Sequence, residues 1–251
     1  ISTYKNFKII SMGPPSSGGI LLSQMLKMAE KFPFRDYGFH SKNSIHLMTE
    51  IEKFSFADRA EHLGDPDFWN VLENQLLDSA YLMERLKYIS LDSVIPSSKV
   101  FAGKFNTLES NETTHFSIVD SKGNASAVTT TLNGSFGSGI VVSGAGFLLN
   151  NEMDDFSIQP GYPNMYGLVG GEANSIKPNK RMLSSMTPTI IEKDDKLFMV
   201  LGTPGGSTII TAVFQTIINV IDHQMGIQDA VNAPRFHHQW LPDEIKLEKK
   251  N

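Results

Sequence analysis

Apolar positions along the chain follow two periods, and the change between them falls near residue 113. FKIISM (residues 7–12) reads as a short strand, and GPPSSGG then makes a stiff turn. Ile20, Leu21, Met25, Leu26, Met28 and Ala29 follow at helical spacing. Ser41 is a suitable N-cap for a second helix, whose apolar residues Ile45, Met48, Ile51 and Phe54 recur at three-residue steps. HLGDPDFWN interrupts that pattern, and a third helix is predicted over about 73–88 with Leu76, Leu77, Ala80 and Met83 on one face.

From residue 113 the period shortens. THFSIVD and ASAVTTTL are two β runs joined by SKGN, whose Lys-Gly-Asn is good turn chemistry. FGSGIVVSGAGFLLNN predicts short strands broken by glycines, and PGYPNMYGLVGG (residues 160–171) a long loop of the kind that often serves as a lid or binding segment. KLFMVLGT reads as a buried strand. TIITAVFQTIINVID, which follows PGGS, is apolar on nearly every side and predicts a buried helix. Helices, then strands, then a buried helix predict layered α+β packing.

Composition narrows the function classes. The 251 residues carry a net charge of −5, which gives no electrostatic footprint for nucleic acid or an anionic membrane. No apolar run approaches the ~20 residues of a membrane span. Cysteine is absent, so disulfides and thiol catalysis are excluded. The chain begins at Ile1 inside a strand-like stretch and stops at EKKN without a capping signal, so it is expected to be part of a longer precursor.

The run ESNETTHFSIVD (Glu109–Asp120) is polar up to two threonines and then turns directly into strand, so the middle of the chain reads like the start of one. A hydroxyl nucleophile needs a base. None of the seven histidines lies in a recognisable Ser-His setting, and the adjacent pair His237 and His238 lacks the spacing of a helical zinc site, so no metal is expected. A chain-terminal threonine carries its own base, an α-amine with a pKa of about 7.7–8.0. If the Glu112–Thr113 bond breaks, that amine can take the proton from Thr113 Oγ. The same hydroxyl can first attack the carbonyl of Glu112, forming an ester and freeing the amine, and hydrolysis of that ester completes the cut and restores the hydroxyl. The plainer reading of the two threonines is entry into a hairpin.

Other clusters fit the same chemistry. Gly205 and Gly206, in LGTPGGST, end a strand and open a helix, where backbone N–H groups favour negative charge and suit an oxyanion hole; the plainer reading is a tight strand-to-helix turn. Glu152, Asp154 and Asp155 lie together in NNEMDDFS, and Ser184 and Ser185 in RMLSSMTPT. Acids bind an ammonium and hydroxyls bind a carboxylate, so a site holding both suits an α-amino acid head group. A solvated turn and a cap are the plainer readings.

The motifs in order, PPSSGG, DPDF, ESNETTHFSIVD, TLNGSFGSGI, GFLLNNEMDDFS, PNMYGLVGG, PNKRMLSSMTPTI, GTPGGSTIIT and NAPRFHHQWLPDE, resemble those of the γ-glutamyltranspeptidases (glutathione hydrolases), members of the N-terminal nucleophile hydrolases. The resemblance covers essentially the whole chain. It implies a four-layer αββα sandwich in which residues 1–112 are the C-terminal part of a large subunit and residues 113–251 the N-terminal part of a small one, the two sharing one fold. It implies γ-glutamyl transfer and hydrolysis of glutathione and related amides, with amino acid or peptide acceptors and no cofactor, after autocatalytic cleavage to a heterodimer. Thr113 matches the nucleophile and Thr131 the threonine that assists it. Asn133, Glu152 and Asp155 match the groups on the substrate α-amine, Ser184 and Ser185 those on its α-carboxylate, and Gly205 and Gly206 the oxyanion hole. Tyr166 matches an aromatic cover on the lid loop. Glu152 stands where many relatives carry glutamine, and a carboxylate there still suits an ammonium. The family's carboxylate-clamping arginine belongs to a region outside this sequence, and Arg181 is not a substitute on motif grounds. Periplasmic or extracellular location follows from the family alone. The alternatives are a related glutaryl or cephalosporin acylase, disfavoured by the acidic pair, and an unprocessed, inactive precursor fragment.

Overall fold

The computed structural model of the chain describes residues 1–102, 114–160, 162 and 171–248. Thr113, Tyr166 and the Glu112–Thr113 bond, on which three of the expectations above rest, lie outside the described residues.

Two strands open the chain, β1 (Ser2–Tyr4) and β2 (Phe7–Ser11). The helices α1 (Gly18–Ala29), the single turn α2 (Phe34–Tyr37) and the long α3 (Lys42–His62) follow. As expected, the Ser41 hydroxyl caps α3 by accepting from Ser44 N at 3.1 Å. The predicted third helix is two pieces, α4 (Glu73–Leu76) and α5 (Ser79–Leu86). The break falls at Asp78, whose extended backbone and side chain, accepting from Tyr81 N at 3.0 Å, start the helix afresh.

The hairpin β3 (Thr114–Val119) and β4 (Ala125–Thr130) forms in the register Thr114↔Thr130 to Val119↔Ala125. The following glycine-rich stretch is mostly turn, with an isolated bridge between Val141 and Leu148 in place of the predicted strands. Two more strands, β5 (Thr189–Lys193) and β6 (Lys196–Leu201), lead to α6 (Thr208–Ile221) and α7 (Ile227–Asn232). The short strands β7 (Phe236–His237) and β8 (Lys246–Leu247) pair near the end.

The main sheet is antiparallel with order β1-β2-β5-β6. Its central seam pairs β2 with β5, from Phe7↔Lys193 to Ser11↔Thr189. α1 packs on β1 and β2 and against α3 and α6, and together they bury Ile9, Leu21, Met25, Phe56 and Phe214. Helix α6 is buried from Ile209 through Asn219, as its all-round apolar sequence predicts. Strand β6 is a correction. Its burial alternates and Phe198 is 43% exposed, so the run KLFMVL presents one face outward. The β3–β4 hairpin lies beside β5 and β6, where the His115 ring rests on Gly202. His115 is fixed there by Thr129 Oγ1 at 2.8 Å and Ser117 Oγ at 3.0 Å. Among the described residues no helix is long and apolar enough to cross a membrane. The fold is therefore mixed helix and sheet.

Candidate active site

Thr131 follows directly on the strand residue that pairs with Thr114, the residue after Thr113. Its hydroxyl accepts from Asn133 N at 2.9 Å. Asn133 sits in the left-handed region (φ 68°), which asparagine tolerates. Its side-chain amide donates to Asn151 O at 3.2 Å, and Gly134 N donates to Asn151 Oδ1 at 2.8 Å. Asn151 thereby joins the end of the hairpin to the acidic turn Glu152–Asp155. Thr131, Asn133, Glu152 and Asp155 thus belong to one connected patch.

Burial raises both acids on that turn. It pushes the Asp155 carboxyl up to about 7, against the pull of Arg59 and with the push of Glu152 and Asp154, and it raises Glu152 in the same direction. A cation entering this patch would relieve both.

The serine pair belongs to the same neighbourhood through a residue that the sequence pattern did not single out. Asn174, the buried last residue of a single 3₁₀ turn (Glu172–Asn174), donates from Nδ2 to Asp155 O at 2.6 Å and accepts at Oδ1 from Leu183 N at 3.0 Å. One side chain thus ties the acidic turn to the segment carrying Ser184 and Ser185. Lys180 and Arg181 fasten that segment further. Lys180 Nζ donates to Ala173 O and Ser175 O, both at 2.8 Å. Arg181 binds Asp65 of the DPDF motif through Nε at 3.0 Å and Nη2 at 2.5 Å, and holds that carboxyl down at about 2. Arg181 also pairs with Asp67, at 2.6 Å, so its guanidinium is engaged by the two acids of the DPDF motif.

The PPSSGG motif supplies the floor. Ser184 N donates to Pro15 O at 3.0 Å and Ser17 N to Ser184 O at 2.8 Å, a short parallel bridge. The approach is close enough to require glycine at position 18, where a Cβ would lie 2.5 Å from Met186 O. Ser184 Oγ accepts from Met186 N at 3.1 Å. Arg59, buried on α3, donates from Nε to Ser17 Oγ at 2.9 Å and from Nη2 to Ser185 Oγ at 3.3 Å. Sequence reasoning missed it because the apolar stripe of α3 suggests a wet opposite face. In fact α3 is buried without interruption from Leu47 through Ala60, charged residues included.

Gly205 and Gly206 are held by a separate network. They precede the first turn of α6, with φ of 132° and 59° that favour glycine. Thr208 Oγ1 donates to Gly205 O at 2.7 Å. Ser207 donates to Gln239 Oε1 at 2.9 Å, beside His237, which also meets Thr211 Oγ1 at 2.8 Å. Among the described residues the N–H groups of Gly205 and Gly206 make no backbone hydrogen bond of their own. His237 and His238 serve packing: burial lowers both to about 4, and His238 is fixed between Trp240 N and Asp243. Among the described residues no cluster of metal-ligating side chains occurs.

In fold, the chain is similar to the cephalosporin acylase of Bacillus halodurans, with 24% identity and a TM-score of 0.74 over 94% of this chain and 40% of that one. The family is shown by sequence. The profile described as Gamma-glutamyltranspeptidase matches residues 1–251, and the chain belongs to that family. It is 53% identical over 246 residues to the glutathione hydrolase proenzyme of Escherichia coli K12, covering 98% of this chain and 42% of the relative. A mutant Helicobacter pylori gamma-glutamyltranspeptidase of known structure shares 65% identity and a TM-score of 0.53 over 54% of this chain and 73% of that one. The chain therefore spans about two fifths of the length of the curated relatives it matches.

Proposed function

We propose that this chain forms the nucleophile-bearing part of an enzyme that hydrolyses and transfers γ-glutamyl groups from glutathione and related amides. The observation that carries the reading is the junction of two partly buried acids with two buried serines through Asn174. Acids raised by burial gain from a substrate ammonium, and serine hydroxyls gain from a carboxylate, so the pair of subsites fits an α-amino acid head group. In this reading Asn133, Glu152 and Asp155 take the α-amine and Ser184 and Ser185 the α-carboxylate, with Tyr166 as cover.

Chemistry follows from the neighbouring threonines and glycines. Thr113 Oγ first attacks the carbonyl of Glu112, forming an ester as the C–N bond breaks and frees the Thr113 amine, and water then hydrolyses the ester to release the Glu112 carboxylate and restore the hydroxyl; the word proenzyme in the name of the Escherichia coli relative supports such a cut. In turnover Thr113 Oγ attacks the γ-carbonyl, its α-amine takes the proton, and Thr131 assists the hydroxyl. The N–H groups of Gly205 and Gly206 receive the oxyanion, a role worth roughly 3–4 kcal/mol for a lost donor. The amine leaves, and water or an acceptor amine resolves the acyl-enzyme. Residues 1–112 and 113–251 then remain together as parts of a large and a small subunit, within a four-layer αββα sandwich completed by further chain. Location in the periplasm or outside the cell rests on the family; cell fractionation tests it.

The deciding experiment compares γ-glutamyl and glutaryl anilides as substrates of the full protein. Turnover of the γ-glutamyl compound is expected, with the glutaryl analogue far poorer because it lacks the ammonium. Turnover of the glutaryl compound alone would point to an acylase.

A further inference from the structure

We propose that Arg59 is a positioning residue of the head-group site, a buried guanidinium that joins the serine pair to the acidic turn and sets the direction in which Ser185 donates. The inference deepens the function proposed above and rests on it.

Arg59 is 3% exposed, bonds to the serine half of the site and acts by its charge on the acidic half. On one side Nε donates to Ser17 Oγ at 2.9 Å, and Ser17 Oγ passes the bond on to Ser184 O at 2.8 Å. Nη2 donates to Ser185 Oγ at 3.3 Å. On the other side its charge acts on Asp155, favouring the carboxylate against burial, and Asp155 in turn supports the guanidinium, which burial lowers to about 9. The helix holds the side chain firmly, because the preceding Asp58 is bonded to Tyr81 Oη at 2.7 Å, to Gln24 Nε2 at 2.9 Å and to Arg85.

Two consequences follow from elementary chemistry. A hydroxyl oxygen that accepts from a cation turns its own proton away from that cation. Ser185 is then presented as a donor, the polarity a substrate carboxylate requires, and Ser184, accepting from Met186 N, is turned the same way. The second consequence is electrostatic. Among the described residues the charged groups acting on Asp155 are Arg59 from α3 and Glu152 and Asp154 from its own turn. Arg59 is the single cation among them, so its removal leaves three acids together and makes Asp155 harder to ionise.

The test is steady-state kinetics with a γ-glutamyl anilide across about pH 5.5–8.5, on the full protein and its Arg59→Met and Arg59→Lys variants. Arg59→Met is expected to raise KM roughly tenfold or more, as for a lost charge-assisted hydrogen bond, while kcat falls by much less. The acidic limb of kcat/KM should move to higher pH. Arg59→Lys keeps the charge without the fork, so it should return the limb to its original position and recover only part of KM. A purely structural arginine would lower active enzyme without moving that limb. An unmoved limb in Arg59→Met, or a loss confined to kcat, overturns the inference. Should Arg59→Met fail to accumulate, Ser17→Ala releases one anchor of the guanidinium and is read the same way; wild-type KM and pH profile there also overturn it. Calorimetric binding of L-glutamate separates the two proposals. Wild-type protein that binds glutamate without γ-glutamyl turnover defeats the function, and weaker binding in Arg59→Lys or Ser17→Ala still upholds Arg59. Wild-type protein that does neither defeats both.

Discussion

Asn174 binds Asp155 through its side-chain amide at 2.6 Å, and the same side chain accepts from Leu183 N at 3.0 Å. Two stretches about thirty residues apart are thereby held as one surface, at the cost of a single buried amide. Removing that amide leaves the Leu183 N–H and the Asp155 carbonyl without it. Asn174→Ala is expected to lose about 2–3 kcal/mol of stability, since an orphaned buried donor costs ~1–3 kcal/mol. Denaturant unfolding measures that loss, and KM for a γ-glutamyl substrate should rise several-fold as the acids and serines drift apart.

The raised Asp155 carboxyl fixes a pH dependence. Its protonated form is the one favoured by burial, so its contribution to stability is complete below the ordinary carboxylate range and is lost as pH climbs through about 7. A ligand ammonium needs the ionised form, so glutamate affinity should do the reverse, strengthening through about pH 7 and levelling above it. Calorimetry at several pH values checks both the slope and its cause, because Asp155→Asn should bind weakly at every pH and lose the dependence.

In the proposed mechanism Thr113→Ala removes the hydroxyl on which both cleavage and turnover would depend. The variant should stay a single polypeptide by intact mass and show no γ-glutamyl turnover. Wild-type protein should instead give two pieces, one beginning at Thr113. Wild-type activity in the variant ends the proposed mechanism.

The strand-to-helix turn offers a sharper contrast. At Gly205 a Cβ would lie 2.3 Å from Thr208 Oγ1, and φ is 132°. Gly205→Ala must therefore strain the backbone and displace the Thr208 bond to Gly205 O, at a cost of roughly 1–3 kcal/mol. Gly206, at φ 59°, lies in the left-handed region that other residues enter for ~1–2 kcal/mol. If the two N–H groups hold the oxyanion as proposed, both substitutions should lower kcat more than they raise KM, Gly205→Ala more severely, by up to about a hundredfold. Rapid-quench measurement of acyl-enzyme formation locates the loss.

Local signals in the sequence carried much of this fold. The Ser41 cap, the all-round apolar run of α6 and the turn at Lys122-Gly123-Asn124 each depend on neighbours within a few residues, and each was legible. Asp78 restarts a helix that apolar spacing alone extends, and Phe198 faces outward from a strand whose composition looks buried. The acids and serines were visible as residue types suited to an amino acid. Asn174 and Arg59 were not, because their parts depend on partners that the chain brings back from far away. Arg59 meets Ser185 across 126 positions, and no spacing rule spans that distance.

The seam between β2 and β5 has a further effect. Strand residues 7–11 come from before position 113 and residues 189–193 from after it, and they pair across the middle of the sheet. A polypeptide severed at that position would still be one body, because the sheet itself is the joint. Its melting would then cease to be a unimolecular event. Each denatured molecule would yield two diffusing strands of chain, and recovery would depend on their meeting, so dilution would make the loss permanent.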